Sequence, residues 1–216
     1  MGALPPLNVI LDVDVAARSG WTIPDLAEAC VAGGARWLQI RAKTTSGGAF
    51  LDLATRAREI AHAGGAILIV NDRADIARLA GADGVHVGQD DLSPAAAQTI
   101  VGAGAVIGYS THSEAQIDAA IAQPVRYIAV GPVFGTATKD TGYTSVGLGL
   151  VRYAAAAITN GTSLPSPGLV AIGGITLDRA EAVIQAGATA VAVITDLLST
   201  GDPESRVRAY LTRLTK

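Results

Sequence analysis

The sequence predicts an α/β fold closed into a single (β/α)8 barrel of the TIM type, and three observations carry that expectation. Short apolar runs suited to strands alternate with amphipathic stretches along the whole chain, the runs number eight, and no shift in composition marks a linker, so residues 1–216 read as one domain. The strand-like runs are 8–12, 37–41, 66–70, 84–88, 106–110, 127–131, 169–172 and 190–194. Between them, 23–31, 50–61, 115–121, 148–157 and 180–186 place apolar residues three and four apart, as crossover helices do. A last helix over 203–214 closes the ring. Several helices run out in a Gly-bearing phrase (Gly33-Gly34-Ala35, Ala80-Gly81-Ala82, Ala186-Gly187-Ala188), where glycine is the usual C-terminal cap. An open doubly wound sheet is the competing arrangement.

Composition agrees with strands buried on both faces. Half of the 216 residues are apolar, 16% are charged and 4% aromatic, so the core is built from Ala, Val, Ile and Leu. A net charge of −3 argues against a nucleic-acid or anionic-membrane partner, which needs clustered Lys and Arg. The single cysteine, Cys30, lies in an apolar helical pattern and reads as a small buried hydrophobe. No apolar run has the length of a membrane helix, and the first residues lack a charged leader pattern, so the expectation is a cytoplasmic, soluble protein. Whether it forms a homo-oligomer is left open.

In a barrel the loops after the strands gather at one face, so the residues at those ends compose the candidate site. The first run ends near Asp12 and Asp14. The second carries Gln39, Arg41 and Lys43 at alternate positions, which puts three polar side chains on one side and suits an anionic, hydrogen-bonding ligand such as a diphosphate. The third and fourth runs end in Asn71-Asp72 and Gln89-Asp90-Asp91. If their strands are adjacent, Asp72 and Asp91 face one cleft, and two such carboxylates repel unless a cation or proton sits between them; magnesium is the economical solution. The plainer explanation, that each Asp caps the helix after it, holds well for one residue and less well for a matched pair. Ser110-Thr111-His112 follows the fifth run. After the sixth, residues 131–141 contain Thr136, Thr138 and Lys139, a Thr-x-Thr-Lys phrase able to bind phosphate and close over a substrate, or an ordinary polar loop. Gly173-Gly174 after the seventh run has the position of a barrel phosphate cradle, where the missing Cβ lets an anion approach backbone amides. His62 and His86 read as structural.

Taken in order, the phrases Gln39-Ile40-Arg41-Ala42-Lys43, Val70-Asn71-Asp72-Arg73, Gly84-Val85-His86-Val87-Gly88-Gln89-Asp90-Asp91-Leu92, Gly108-Tyr109-Ser110-Thr111-His112-Ser113, Gly131-Pro132-Val133-Phe134 with Thr136-Ala137-Thr138-Lys139, and Ala171-Ile172-Gly173-Gly174-Ile175 closely resemble the thiamine phosphate synthase family, also called thiamine-phosphate pyrophosphorylase, from about Asp12 to Leu198. The resemblance implies a transferase that joins hydroxymethylpyrimidine diphosphate to thiazole phosphate and releases pyrophosphate by a dissociative route, with Mg2+ as cofactor. It implies that Gln39, Arg41, Lys43, Asn71, Ser110 and Lys139 hold the pyrimidine and its diphosphate, and that Arg41, Lys43, Ser110 and Lys139 serve catalysis. Asp72 and Asp91 would ligate the metal. Thr136, Thr138, Gly174, Ile194 and Thr195 would hold the thiazole phosphate.

The chain departs from the family pattern at Ala42, where the family commonly has Glu; at Thr195, where it has Ser; and in a first strand whose Asp12 has no assigned role. An isomerase on the same barrel, the related thiazole tautomerase, is the alternative, with His112 as its proton shuttle, although the Gln39-Arg41-Lys43 set has no evident use there. A homologue that binds thiamine phosphate without turning over is a third reading.

Overall fold

The computed structural model describes residues 4–135, 144–161 and 166–215. Its strands are β1 (Leu7–Asp12), β2 (Trp37–Arg41), β3 (Ile67–Asn71), β4 (Gly84–Val87), β5 (Val106–Thr111), β6 (Tyr127–Val130), β7 (Gly168–Ile172) and β8 (Ala190–Val193). All pair in parallel with their sequence neighbours, and β8 pairs with β1 through Leu7↔Val191, so the sheet is a closed barrel and the open alternative falls away. The helices are α1 (Val13–Arg18), α2 (Ile23–Ala32), α3 (Gly47–Ala63), α4 (Ala74–Ala80), α5 (Pro94–Val101), α6 (Glu114–Ile121), α7 (Gly147–Asn160), α8 (Leu177–Gln185) and α9 (Pro203–Leu214). Short α1, which the apolar pattern did not announce, starts because the Asp12 carboxylate accepts from the Val15 amide.

Alternation along each strand divides the buried residues into two cores. Val9, Leu11, Leu38, Ile40, Leu68, Val70, Val85 and Val87 face outward to the helices. Ile10, Trp37, Ile69, Val106, Tyr127, Val170 and Ala190 face inward. This is why the strands read as continuous apolar runs rather than alternating ones. Trp37 and Tyr127, the first residues of β2 and β6, meet edge to face with centroids 4.9 Å apart and plug the barrel at the strands' N-terminal ends. Fully burying each such ring contributes about 1.5–3 kcal/mol by area alone. The interior above that plug is free for a site. Among the described residues no helix is long and apolar enough to cross a membrane.

Candidate active site at the C-terminal mouth of the barrel

A cavity of about 630 Å3 opens at the C-terminal ends of the strands. Its wall has two unlike halves. From β2 to β5 the inward positions are polar, Gln39, Asn71, His86 and Ser110; from β6 through β8 to β1 they are mostly apolar, Ala129, Val170, Ile172, Ala192 and Ile10, with Tyr127 and Asn8 as the polar exceptions. Arg41, Lys43, Asp72 and Asp91 crown the polar half, while Gly174, Ile194 and Thr195 stand at the rim of the apolar half. All ten described residues expected to bind ligand or metal therefore line one space. Thr136, Thr138 and Lys139 lie outside the described residues.

The polar rim is held by ion pairs. Arg41 pairs with Asp12 across the β1–β2 register in which those two residues are partners, so Asp12 positions the guanidinium while also capping α1. Lys43, just past β2, pairs with Asp72. Asp72 sits one residue beyond β3 at φ 66°, a left-handed conformation that a non-glycine residue adopts at a cost of order 1 kcal/mol or more. It does not cap α4, whose N-cap is Arg73, and Asp91 does not cap α5, whose N-cap Ser93 accepts from the Ala96 amide. The capping explanation fails for both.

The placement of Asp91 corrects one expectation. It is not at a strand end: β4 stops at Val87, and Asp91 reaches back through a turn in which its Oδ2 accepts from the Gly88 amide at 2.8 Å. Burial, with the neighbouring Asp72 carboxylate adding to it, pushes the Asp91 carboxyl above its ordinary range, against the pull of the Gly88 amide and Lys43. The two carboxylates thus confront each other as anticipated. Among the described residues no cluster of three or more His, Cys, Asp or Glu surrounds them, so a divalent ion held here would draw its remaining ligands from phosphate and water, a pattern that suits magnesium better than calcium.

Glycine at the end of β7 has a steric reason beside the one expected. Gly173 and Gly174 have φ of 101° and 61°, and a Cβ on Gly174 would stand 2.6 Å from the Gly135 carbonyl oxygen and 2.9 Å from Phe134 Cβ. The close approach is that of the segment after β6, whose Val133 and Phe134 amides donate to the carbonyls of Ile172 and Gly173. Both glycines still line the cavity.

Several cavity-lining residues went unrecognised in the sequence, among them Asn8 and four with clear partners. His86, assigned to structure, is buried but faces inward, with Nδ1 3.0 Å from the Tyr127 hydroxyl and Nε2 2.8 Å from Ser110 Oγ. Its parity with Gly84 and Gly88, inside a run whose valines point outward, was the available signal. Tyr127 is the second. Arg179, the third, donates to the Gly174 carbonyl at 2.9 Å and lies over the Phe134 ring. Asp196, in the single turn of 3-10 helix after β8, accepts from Arg206 and Tyr210 of α9 and from the first amide of α8, Leu177. His112 lines the cavity with Nδ1 2.6 Å from the Gly131 carbonyl oxygen, a bond that orients its ring.

Residues 10–197 match the family model described as thiamine monophosphate synthase. A thiamine-phosphate synthase of Koribacter versatilis is 43% identical over 212 residues, covering 96% of this chain and 95% of that protein. One from Gloeobacter violaceus is 41% identical over 89% of this chain, which spans only 54% of that relative's length. Among solved structures, a thiamine phosphate pyrophosphorylase from Pyrococcus furiosus superposes with a TM-score of 0.84 at 25% identity, over 97% of this chain and 95% of that one. Spanning most of the chain, these likenesses establish that it belongs to the thiamine monophosphate synthase family.

Proposed function

We propose that the chain acts as a magnesium-dependent transferase in the cytoplasm, joining the hydroxymethylpyrimidine group of its diphosphate to the ring nitrogen of thiazole phosphate and releasing pyrophosphate. The observation that carries this reading is the division of the wall: two cations and two carboxylates sit above a polar half, facing an apolar half. In this reading Gln39, Asn71 and Ser110 orient the pyrimidine. Arg41 and Lys43 meet the diphosphate, and each is already held by a carboxylate, so little reorganisation is needed when negative charge grows on the leaving group. Lys139 would add a third cation. The donor set between Asp72 and Asp91 fits a magnesium ion, and the chemistry such an ion supplies is neutralisation of the departing diphosphate. The apolar half, with Gly174, Ile194 and Thr195 at its rim, receives the thiazole phosphate, to which Thr136 and Thr138 would add their hydroxyls, and keeps water away from the pyrimidine methylene cation. The nucleophile is an unprotonated ring nitrogen, so no general base is required.

The test is to mix the purified protein with both phosphorylated precursors and magnesium and to measure pyrophosphate. Release by the wild type is expected, and Asp91→Ala should remove most of it, at least about 100-fold, while the thermal transition stays close to wild type. Wild-type turnover in the variant would sink the metal assignment, and an inert wild type would sink the activity.

A further inference from the structure

Three strands put an unusual trio side by side inside the barrel. In the register, His86 of β4 is the partner of Gly108 of β5, and Gly108 is the partner of Tyr127 of β6. Gly108 leaves a gap in the inner layer. A Cβ there would stand 2.1 Å from Tyr127 Cζ, 2.3 Å from its hydroxyl and 2.5 Å from His86 Nδ1. Through that gap the two side chains reach each other from strands that are not neighbours. Their rings stack with centroids 5.4 Å apart and planes 18° from parallel, and the Tyr127 hydroxyl lies 3.0 Å from His86 Nδ1. On the cavity side His86 Nε2 lies 2.8 Å from Ser110 Oγ, and the tip of β5 is steadied by Gln89, which donates to the Ser110 carbonyl at 2.6 Å.

The direction of this chain of bonds decides what the wall offers a ligand. Burial drives the Tyr127 phenol far above its ordinary pKa, so it keeps its proton, and among the described residues His86 Nδ1 is the hydrogen-bond partner of this fully buried hydroxyl, so an O–H turned elsewhere would be left unsatisfied. The phenol proton is then given to His86 Nδ1. A neutral imidazole accepting at Nδ1 carries its own proton on Nε2, and that proton goes to Ser110 Oγ. Ser110 is left with its O–H directed into the cavity. In the opposite sense Ser110 would spend its proton on His86 and present only lone pairs.

We propose that His86 is a positioning residue: held by Tyr127 across the Gly108 gap, it fixes Ser110 as a hydrogen-bond donor toward an acceptor on the ligand of the polar half, a heteroaromatic ring nitrogen or a diphosphate oxygen. The identity of that ligand rests on the synthase reading; the order of the bonds does not.

Nitrogen-15 spectra of the ligand-free protein, labelled at histidine and with His86 assigned by its loss in His86→Gln, read the tautomer directly. The Nε2–H form is expected in the wild type at neutral pH, and a mixture or a switch to Nδ1–H in Tyr127→Phe, which keeps the ring and deletes only the donor. An Nδ1–H tautomer in the wild type overturns the proposal, whether or not the protein turns over. With both precursors and magnesium, Tyr127→Phe should raise KM for the pyrimidine diphosphate about tenfold with kcat changed by less than about threefold. The double variant Tyr127→Phe/Ser110→Ala should then be no worse than Ser110→Ala alone; full additivity would mean that the two act separately and the relay is wrong. His86→Gln retains an amide donor for Ser110 and should bind several-fold better than His86→Leu. Equal losses in those two variants would reduce His86 to packing and refute the assignment.

Discussion

At the scale of single residues, the confrontation of Asp72 and Asp91 governs how the stability of the fold responds to pH and to a divalent ion. Asp91 has a folded-state carboxyl pKa above its ordinary value, chiefly from burial. Such a group leaves stability intact at a pH below the ordinary carboxyl range, about 4, and removes it as pH rises through the raised value. At neutral pH without a divalent ion, the charged pair therefore destabilises the fold. Asp91→Asn should melt higher than wild type there, by about 2–4 °C for each kcal/mol relieved, and the advantage should vanish in acid. The asparagine oxygen can still accept from Gly88, so that bond does not confound the comparison. Magnesium should raise the melting temperature of the wild type and leave the variant unmoved. Melting curves over pH, with and without magnesium, decide it, and a variant that melts lower at every pH contradicts the account. The sequence disclosed both carboxylates, because they follow apolar runs that pair in space. It did not disclose the turn that carries Asp91 back to Gly88, or the Arg41–Asp12 contact, because both depend on backbone registers that no local pattern encodes.

At the scale of elements, the rim of the apolar half is fastened from outside the barrel. Asp196 accepts three bonds from Arg206, a bond from the Tyr210 hydroxyl and one from the first amide of α8, so one carboxylate ties the turn after β8 to α8 and α9. Burial first, and then Asp196 itself, push the Tyr210 phenol upward, which keeps it a donor. The Arg206 and Asp196 side chains are only 19% and 11% exposed, so removing one partner strands the other in a poorly hydrated place. Asp196→Ala should cost about 2–4 kcal/mol in denaturant unfolding. Arg206→Lys, which retains the charge and loses the planar fork, should cost less, about 1 kcal/mol. Because the same carboxylate fixes the start of α8 beside Gly174, Asp196→Ala should also weaken thiazole phosphate binding more than pyrimidine diphosphate binding. Helix α9 itself was legible, from Pro203 to Leu214, as the last helix that closes the ring. Its tether was not, since Asp196 lies after an apolar run like any other strand-end carboxylate and its partners come from the next helix. Helix α1 was missed for a related reason: with six residues it is too short to impose a period on the sequence.

At the scale of the whole molecule, the closed ring forces every strand to show one face to the interior. The ligand space is therefore composed by parity: polar side chains from four consecutive strands, and from the other four mostly apolar ones, Asn8 and Tyr127 excepted. That arrangement makes the assignment of the two ligands to the two halves testable without touching a polar group. Ala192 lines the apolar half from β8, with Asn8 of β1 its partner in register. Ala192→Leu projects extra methyl groups into the cavity rather than into the packed layer outside the barrel, so unfolding free energy should change by less than about 1 kcal/mol. The volume lost falls where the thiazole is expected. KM for the thiazole phosphate should rise at least about tenfold, while KM for the pyrimidine diphosphate and magnesium-dependent binding of pyrophosphate move by less than about twofold. If the enlarged side chain instead blocks the pyrimidine diphosphate and spares the thiazole, the two ligands are the other way round. The apolar wall would then have to shelter a doubly charged leaving group, against the placement of Arg41, Lys43 and both carboxylates on the opposite side.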